Sequence, residues 1–306
     1  MGRGWACVIA GLALAGCSAP SVGRGDSDAT DLQGNDEEAE TSVALWLADR
    51  DASAVLRVSA LDGRIEILAD ALEMGPLLLG EPSSVRRGPD DALYVTTYSP
   101  SGVTRLEGGE ASTFFTDSYL EEPVELAFRG DELFVLGNDT GNVVVADGGG
   151  SFVRELGYPE MRNAHDMAFG PDGWLYVATS YNIGLEGGVQ KWDVDTAELV
   201  GVFAGEDEVG RATGLAFADG GWLYVADSMH GTVVRFDADA GAFDAVVVEG
   251  LDQPVSLVIV HDDLFVADRS GVHRYDARSG DVLGEIASPE HVERVRGVTA
   301  ATAPSR

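Results

Sequence analysis

His165 and Asp166, in the stretch "NAHDMAFGPDGWLYVATSYN", form the first place in this chain where adjacent side chains could do chemistry. An imidazole next to a carboxylate can move a proton or hold a metal ion through a ring nitrogen; it can also simply open a β-strand. Few residues could join the pair. Of the other histidines, His230 stands three residues after Asp227 in a polar loop, while His261 and His273 fall in a turn and an outer strand. A zinc site needs three or four converging ligands, and His165, His230 and Asp227 are the most the sequence offers. The Asp-x-Asp runs at Asp193–Asp195 and Asp237–Asp239 lack the glycine and distal glutamate of a calcium loop. No Gly-x-Ser-x-Gly, His-Glu-x-x-His or phosphate-loop motif occurs. The only cysteines are Cys7 and Cys17, so the rest of the chain has no disulfide and no thiolate nucleophile.

The elements that must position these residues repeat along the chain. Leu175-Tyr176-Val177, just after His165, recurs as Leu45-Trp46-Leu47, Leu93-Tyr94-Val95, Leu133-Phe134-Val135, Leu223-Tyr224-Val225 and Leu264-Phe265-Val266, at spacings of 48, 40, 42, 48 and 41 residues. Such a period belongs to a solenoid or a propeller. Before each core comes a short apolar run and a turn, as in "MAFGPDG". After it come a polar loop, a strand such as "VVRFD", a second turn and a last strand such as "VLGEI". Four short strands divided by Gly and Asp turns predict one antiparallel propeller blade. A cation recurs in the third strand at Arg57, Arg105, Lys191, Arg235 and Arg274, with Val145 as the exception. Five copies indicate repeat structure, with acids of adjacent blades or solvent as the expected contacts.

The first unit, "VALWLADRD", lacks a strand before its core, and the missing strand stands at the other end of the chain. Residues 294–299, "RVRGVT", match residues 211–216, "RATGLA". The C-terminus should therefore pair into blade one and close the ring, which removes exposed edges. The fold class is all-β: a six-bladed β-propeller of four-stranded antiparallel blades over residues 43–306. The stretch "GLAFADGGWLYVADSMHGTVVRFDADAG" resembles an NHL-type repeat, and residues 43–306 resemble the six-bladed superfamily of NHL and SMP-30/gluconolactonase-like proteins. That resemblance implies a fold and not an activity. Streptogramin lyase repeats look similar too, but imply seven blades.

In such a ring the loops leading into the inner strands and those joining second to third strands lie on one face around the channel. The resemblance implies that ligands bind there. The leading loops carry Glu81, Glu122, Asn163, Arg211, Gln253 and Arg294. The joining loops carry Asp49, Tyr98, Asn138, Asp139, Tyr181, Asn182, Asp227, His230, Asp268 and Arg269. The lactonase-like relatives hold calcium through acids and an asparagine near inner-strand starts, and a related lyase propeller places several zinc histidines there. The matching register here reads Ser83, Val124, His165, Thr213, Val255 and Arg296, with one histidine and no carboxylate, so neither site is reproduced. Asp49, Asp227 and Asp268 are expected to cap their own turns. Residues 71–81, "ALEMGPLLLGE", and 180–188 exceed the repeat and should rise on the same face. There Leu77, Leu78 and Leu79 would form either a partner patch or a lid.

The 306 residues carry a formal charge of −32 with Lys191 as the only lysine, which excludes nucleic acid as a partner. The N-terminus, "MGRGWACVIAGLALAGCSAP", has Arg3, a short apolar run and then Leu14-Ala15-Gly16-Cys17. This resembles a bacterial lipoprotein signal, in which residues 1–16 are removed and Cys17 is lipidated. Ser18 rather than Asp after the cysteine implies, by that resemblance, the outer membrane of a Gram-negative envelope, facing the periplasm. Residues 17–42 then read as a lipidated cysteine on a disordered acidic tether. Two functions stay open. One is a monomeric, lipid-anchored propeller that binds a protein or small-molecule ligand on its top face, through Glu81, Glu122, Asn163, Tyr181, Asn182, Arg211, Asp227, His230, Arg269 and Arg294, without a cofactor. The other is a lactonase-like hydrolase or lyase with His165 and Asp166 as catalytic residues and a divalent metal, calcium or zinc, held by His165, His230 and Asp227.

Overall fold

The Leu-aromatic cores become the second strands of six blades: Ala44–Asp49, Leu93–Thr97, Glu132–Gly137, Leu175–Thr179, Trp222–Asp227 and Asp263–Asp268. The computed structural model describes residues 43–60, 62–180 and 187–301. Cys17, Tyr181 and Asn182, with the signal and tether segments, lie outside the described residues. The second strands are apolar at consecutive positions because both of their faces are covered. Leu133, Phe134, Val135 and Leu136 are all fully buried. Each blade packs its face on the next; Phe134 and Val143 of blade three, for example, share a cluster with Met167 and Val177 of blade four.

The ring closes through the C-terminus. Val295–Ala300 runs antiparallel to Ala44–Asp49, with Leu47 opposite Val298, so blade one is assembled from both ends of the sequence. The six inner strands are Pro82–Arg87, Pro123–Arg129, Ala164–Phe169, Ala212–Ala218, Ser256–Val260 and Val295–Ala300. They neighbour one another around the central channel. Two approaches are close, and the first requires glycine. A Cβ at Gly297 would stand 2.7 Å from the Ser83 carbonyl oxygen, and one at Gly214 would stand 3.1 Å from Ser256 Cα. Where there is room, a polar side chain ties one inner strand to the next. Ser84 Oγ donates to Glu125 (2.6 Å), the Leu215 N–H to Asp166 (2.7 Å) and the Val298 N–H to Ser256 Oγ (3.2 Å).

One expectation is corrected. The third-strand cations pair with acids of their own blade, as in Arg105–Asp90, Lys191–Asp172, Arg235–Asp244 and Arg274–Asp263. Hydrogen-bonded strands of one sheet lie closer than neighbouring blades do, so the nearest acid is an intra-sheet one. In blade three Val145 is partnered by Arg154, whose guanidinium meets Glu132. Residues 71–81 contribute no described side chain to the channel cavity. They make two short helical turns, Ala71–Met74 and Pro76–Leu79, the first capped by Asp70. Leu79 is buried with Trp46, Val55, Val85 and Val95 between blades one and two, and the Leu78 carbonyl accepts from the Thr104 hydroxyl. The side chain of Leu77 lies outside the described residues. Among the described residues no helix is long and apolar enough to cross a membrane.

Candidate ligand site at the channel mouth

One hydrogen bond recurs in every blade and builds a collar. The residue after each second strand donates its N–H to a carbonyl of the loop leading into the inner strand. The six bonds are Arg50 to Arg294 (2.9 Å), Tyr98 to Glu81 (3.0 Å), Asn138 to Glu122 (3.1 Å), Ser180 to Asn163 (3.0 Å), Ser228 to Arg211 (3.0 Å) and Arg269 to Asp252 (2.9 Å). Glu81, Glu122, Asn163 and Gln253 turn into their strands through left-handed backbone, with φ between 49° and 57°. Such a conformation costs a non-glycine residue about 1 kcal/mol. Its recurrence in four blades marks it as the turn geometry of the repeat, not as strain reserved for one reacting residue. Where the second strand ends in aspartate, the carboxylate fastens both loops. Asp49 accepts from the N–H groups of Glu293 and Arg294, Asp227 from those of Gly210 and Arg211, and Asp268 from that of Asp252. The same three carboxylates cap their own turns at Ala52, Met229 and Ser270.

Beneath the collar lies a cavity of about 220 Å³. Its wall contains the whole register of His165, namely Ser83, Val124, His165, Thr213, Val255 and Arg296, together with Arg50, Tyr98, Asn138, Arg211, Ser228 and Gln253. Arg269 and Arg294 line an adjoining cavity of about 310 Å³ that shares Gln253, Val255 and Arg296 with the first. Of the other sequence-predicted positions, Glu81 is taken up by Arg50 (2.5 Å) and Glu122 interacts with the Tyr98 hydroxyl. Asp227 and His230 form a pair of their own (2.7 Å).

His165 and Asp166 have different surroundings. His165 is the extra residue of a β-bulge, unpaired between Ala164–Thr179 and Asp166–Ala178, and its imidazole lines the channel cavity while the carboxylate of Asp166 turns between blades. There Asp166 is buried and accepts from the N–H groups of Met167 and Leu215. Burial, then the nearby Glu125 carboxylate, pushes its carboxyl well above the ordinary range. Asp166, expected from the sequence to act beside His165, is a strut between inner strands. His165 Nε2 lies 3.1 Å from Ser180 Oγ, and that hydroxyl donates to the Asn163 carbonyl (3.2 Å). The ring nitrogen is therefore the donor to Ser180, which leaves Nδ1 as an acceptor. Burial first, then the charges of Arg296 and Arg211, lowers the His165 pKa to about 4.

The metal expected in the second reading does not fit these residues. Among the described residues no three His, Cys, Asp or Glu side chains are arranged to hold an ion, and His165, His230 and Asp227 are not such a group. Asp227 is spent: it accepts from His230 Nδ1 and from the backbone of Gly210, Arg211, Met229 and His230. Burial alone would raise its carboxyl, but His230 and those N–H groups outweigh it and hold the pKa below the usual value. A cation beside His165 would also face Arg211 and Arg296.

Arginine, not acid, dominates the wall. Arg50 lies on the Tyr98 ring, 3.9 Å from its centroid, while it pairs with Glu81. Arg294 stands 3.9 Å from Asp51 with both side chains about half exposed. Arg296 has no ion pair or hydrogen bond among the described residues, and its buried Nε lacks an acceptor. Burial, then Arg294 and Arg50, lowers its pKa to about 10. Sequence reasoning missed Arg50 and Ser228 and did not single out Arg296 as a charge. The signal was present in the repeat, since Arg50 and Ser228 occupy the position just after the second strand in their blades.

No protein family matches the sequence, and no curated protein does. Solved structures do match in fold. A chain of the nidogen/laminin complex superposes with a TM-score of 0.73 at 19% identity, covering 85% of this chain and 98% of that one. A putative gluconolactonase gives 0.57 at 17% identity, covering 68% and 78%. A catalytically inactive histidine-to-alanine variant of virginiamycin B lyase from Staphylococcus aureus, with quinupristin, gives 0.56 at 13% identity, covering 74% of each chain. The chain is a six-bladed β-propeller, a fold it shares with a propeller found in a protein complex and with a gluconolactonase-like one.

Proposed function

We propose that this protein is a binding propeller, which takes a small-molecule or protein ligand on the collar face and does no chemistry on it. The observation that carries this reading is the composition of the channel register: six side chains converge on one cavity, and none of them is a carboxylate. The competing reading, a metal-dependent lactonase-like hydrolase or lyase centred on His165, draws on the fold shared with the gluconolactonase and the lyase. A general base works best with a pKa near the operating pH, and His165 sits far below neutrality. Its neighbour Asp166 does not orient it. The test is metal content and lactone turnover of the purified protein after incubation with Ca²⁺ or Zn²⁺. Less than 0.1 equivalent of bound metal (a chosen threshold, roughly one site in ten) and no turnover above the His165→Ala background are expected. Stoichiometric metal that is lost in His165→Ala, with chelator-sensitive turnover, would overturn the reading.

The same proposal places the propeller on the bacterial envelope, at the outer membrane facing the periplasm, as a monomer held through acyl chains on Cys17. Each buried CH₂ of such a chain contributes about 0.8 kcal/mol, so several chains hold a protein firmly. Cys17→Ala is expected to abolish incorporation of labelled fatty acid and detergent-dependent extraction. Labelling that survives in that variant would remove the anchor from the proposal.

A further inference from the structure

We propose that the collar cavity is an oxyanion site: it takes a small molecule through a carboxylate or phosphate group bound by Arg296, with Arg211 and Ser228 alongside. The inference rests on the reading that this face binds a ligand, and it names the chemistry of that ligand.

Three observations carry it. The first is an unpaired cation. In a chain with 20 basic residues and a formal charge of −32, five arginines gather at one mouth: Arg50, Arg211, Arg269, Arg294 and Arg296. Every third-strand arginine elsewhere in the ring has an acid of its own blade. At the mouth, among the described residues, only Arg50 has a close one, Glu81, while Arg294 keeps a looser contact with Asp51. Among the described residues, Arg294 and Arg50 act on Arg296 more strongly than the opposing carboxylate of Asp51 does.

The second is unsatisfied hydrogen-bonding capacity. Buried polar atoms are nearly always partnered. Among the described residues four buried side-chain atoms have no partner, and two of them, Arg296 Nε and Ser228 Oγ, belong to walls of this cavity. A guanidinium presents parallel N–H groups that match the two oxygens of a carboxylate or phosphate. The hydroxyl of Ser228 can donate to the same group.

The third is size and lining. At about 220 Å³ the cavity is smaller than the roughly 300–1,000 Å³ of sites for drug-sized ligands. Val124 and Val255 alternate with Ser83 and Thr213 around it, but those two hydroxyls are already committed to the carbonyls of Pro123 and Pro254. His165 is a neutral donor to Ser180 and adds no charge of its own. The wall therefore offers an oxyanion Arg296 and Arg211, and offers the rest of a small ligand apolar and neutral contact.

The test is calorimetric titration of the full chain in detergent at pH 7 and 0.15 M sodium chloride, where exposed charges more than about 8 Å apart are largely screened. The probes are citrate, malonate, inorganic phosphate and glycerol phosphate, with malonamide as the uncharged control. At least one anion is expected to bind saturably, with affinity reduced at least tenfold in Arg296→Gln and in Arg211→Gln and with no heat from malonamide. A response to citrate and malonate assigns a carboxylate, and a response to the phosphates assigns a phosphate; either supports the site. Arg211 is exposed and makes no ion pair among the described residues, so its variant tests the site even if Arg296→Gln fails to fold. Absence of saturable binding by every anion at 10 mM (about the weak limit of specific binding), or equal binding by wild type and both variants, overturns the proposal. Metal-dependent lactone turnover would overturn the non-catalytic reading and would leave this titration standing.

Discussion

Deletion of residues 294–306 is expected to give a chain that aggregates or melts far below the parent protein. Blade one would lose its inner strand, and the second strand Ala44–Asp49 would become an open edge in the middle of the ring. The register places Leu45, Trp46, Leu47 and Ala48 opposite Ala300, Thr299, Val298 and Gly297. Val295 and Val298 are at most 4% exposed and belong to a cluster with Leu45, Leu47, Phe265 and Val272, so the strand joins blade one to blade six. On its other side Gly297 lies against Ser83 and Ser84 of blade two. Deletion also removes one donor to Asp49, the Arg294 N–H, and leaves the other, the Glu293 N–H, at a free chain end. At about 25 cal/mol per Å², a few hundred Å² of lost apolar burial costs several kcal/mol, a large part of a domain's stability. Thermal denaturation followed by circular dichroism would measure it, with deletion of residues 18–40 as the control expected to leave the melting temperature within a few degrees. A truncated ring that melts like its parent would mean that blade one does not need the C-terminal strand.

The fold was legible because its signal is local and repeated. Each Leu-aromatic core needs only a few consecutive residues to be recognised, and the count of cores against inner strands disclosed the closure. The channel register was legible for the same reason: Ser83, Val124, His165, Thr213, Val255 and Arg296 occupy equivalent places in units of nearly constant length, and they line one cavity. What escaped depended on partner choice. A bulge sets His165 apart from the paired Asp166, and nothing local says that Asp166 finds the Leu215 N–H of the next blade. The arginines of the third strands and those of the mouth look alike in sequence. What singles out Arg296 is that, among the described residues, it makes no ion pair, whereas Arg274 has Asp263 and Arg50 has Glu81. Residues 71–81 read as a partner patch or a lid because their apolar run exceeds the repeat; Leu79 instead fills a gap between two blades that no single-blade pattern describes.

His165 should make the protein lose stability as pH falls below neutrality, by an amount that vanishes in His165→Gln. Its ring is held neutral by burial and by the charges of Arg296 and Arg211, with a folded-state pKa of about 4 against 6.5 for the free side chain. A histidine whose pKa is lowered by folding binds its proton more readily in the unfolded chain. Acid therefore favours unfolding, and the effect runs from about pH 6.5 down to about pH 4, above which neither state is protonated and below which both are. The shift corresponds to roughly 3 kcal/mol, as an upper figure, at 1.36 kcal/mol per pKa unit. Carboxylates titrate over the lower part of this window too, so the quantity to measure is the difference between wild type and His165→Gln. Denaturant unfolding at pH 7 and pH 4 is expected to show wild type losing more stability than the variant, by about 2–3 kcal/mol. The ring resonances of His165 should titrate near pH 4. In Arg296→Gln the midpoint should move upward, because one of the two charges opposing the imidazolium is gone; equal acid sensitivity of wild type and His165→Gln would place the ring in contact with solvent and away from both arginines.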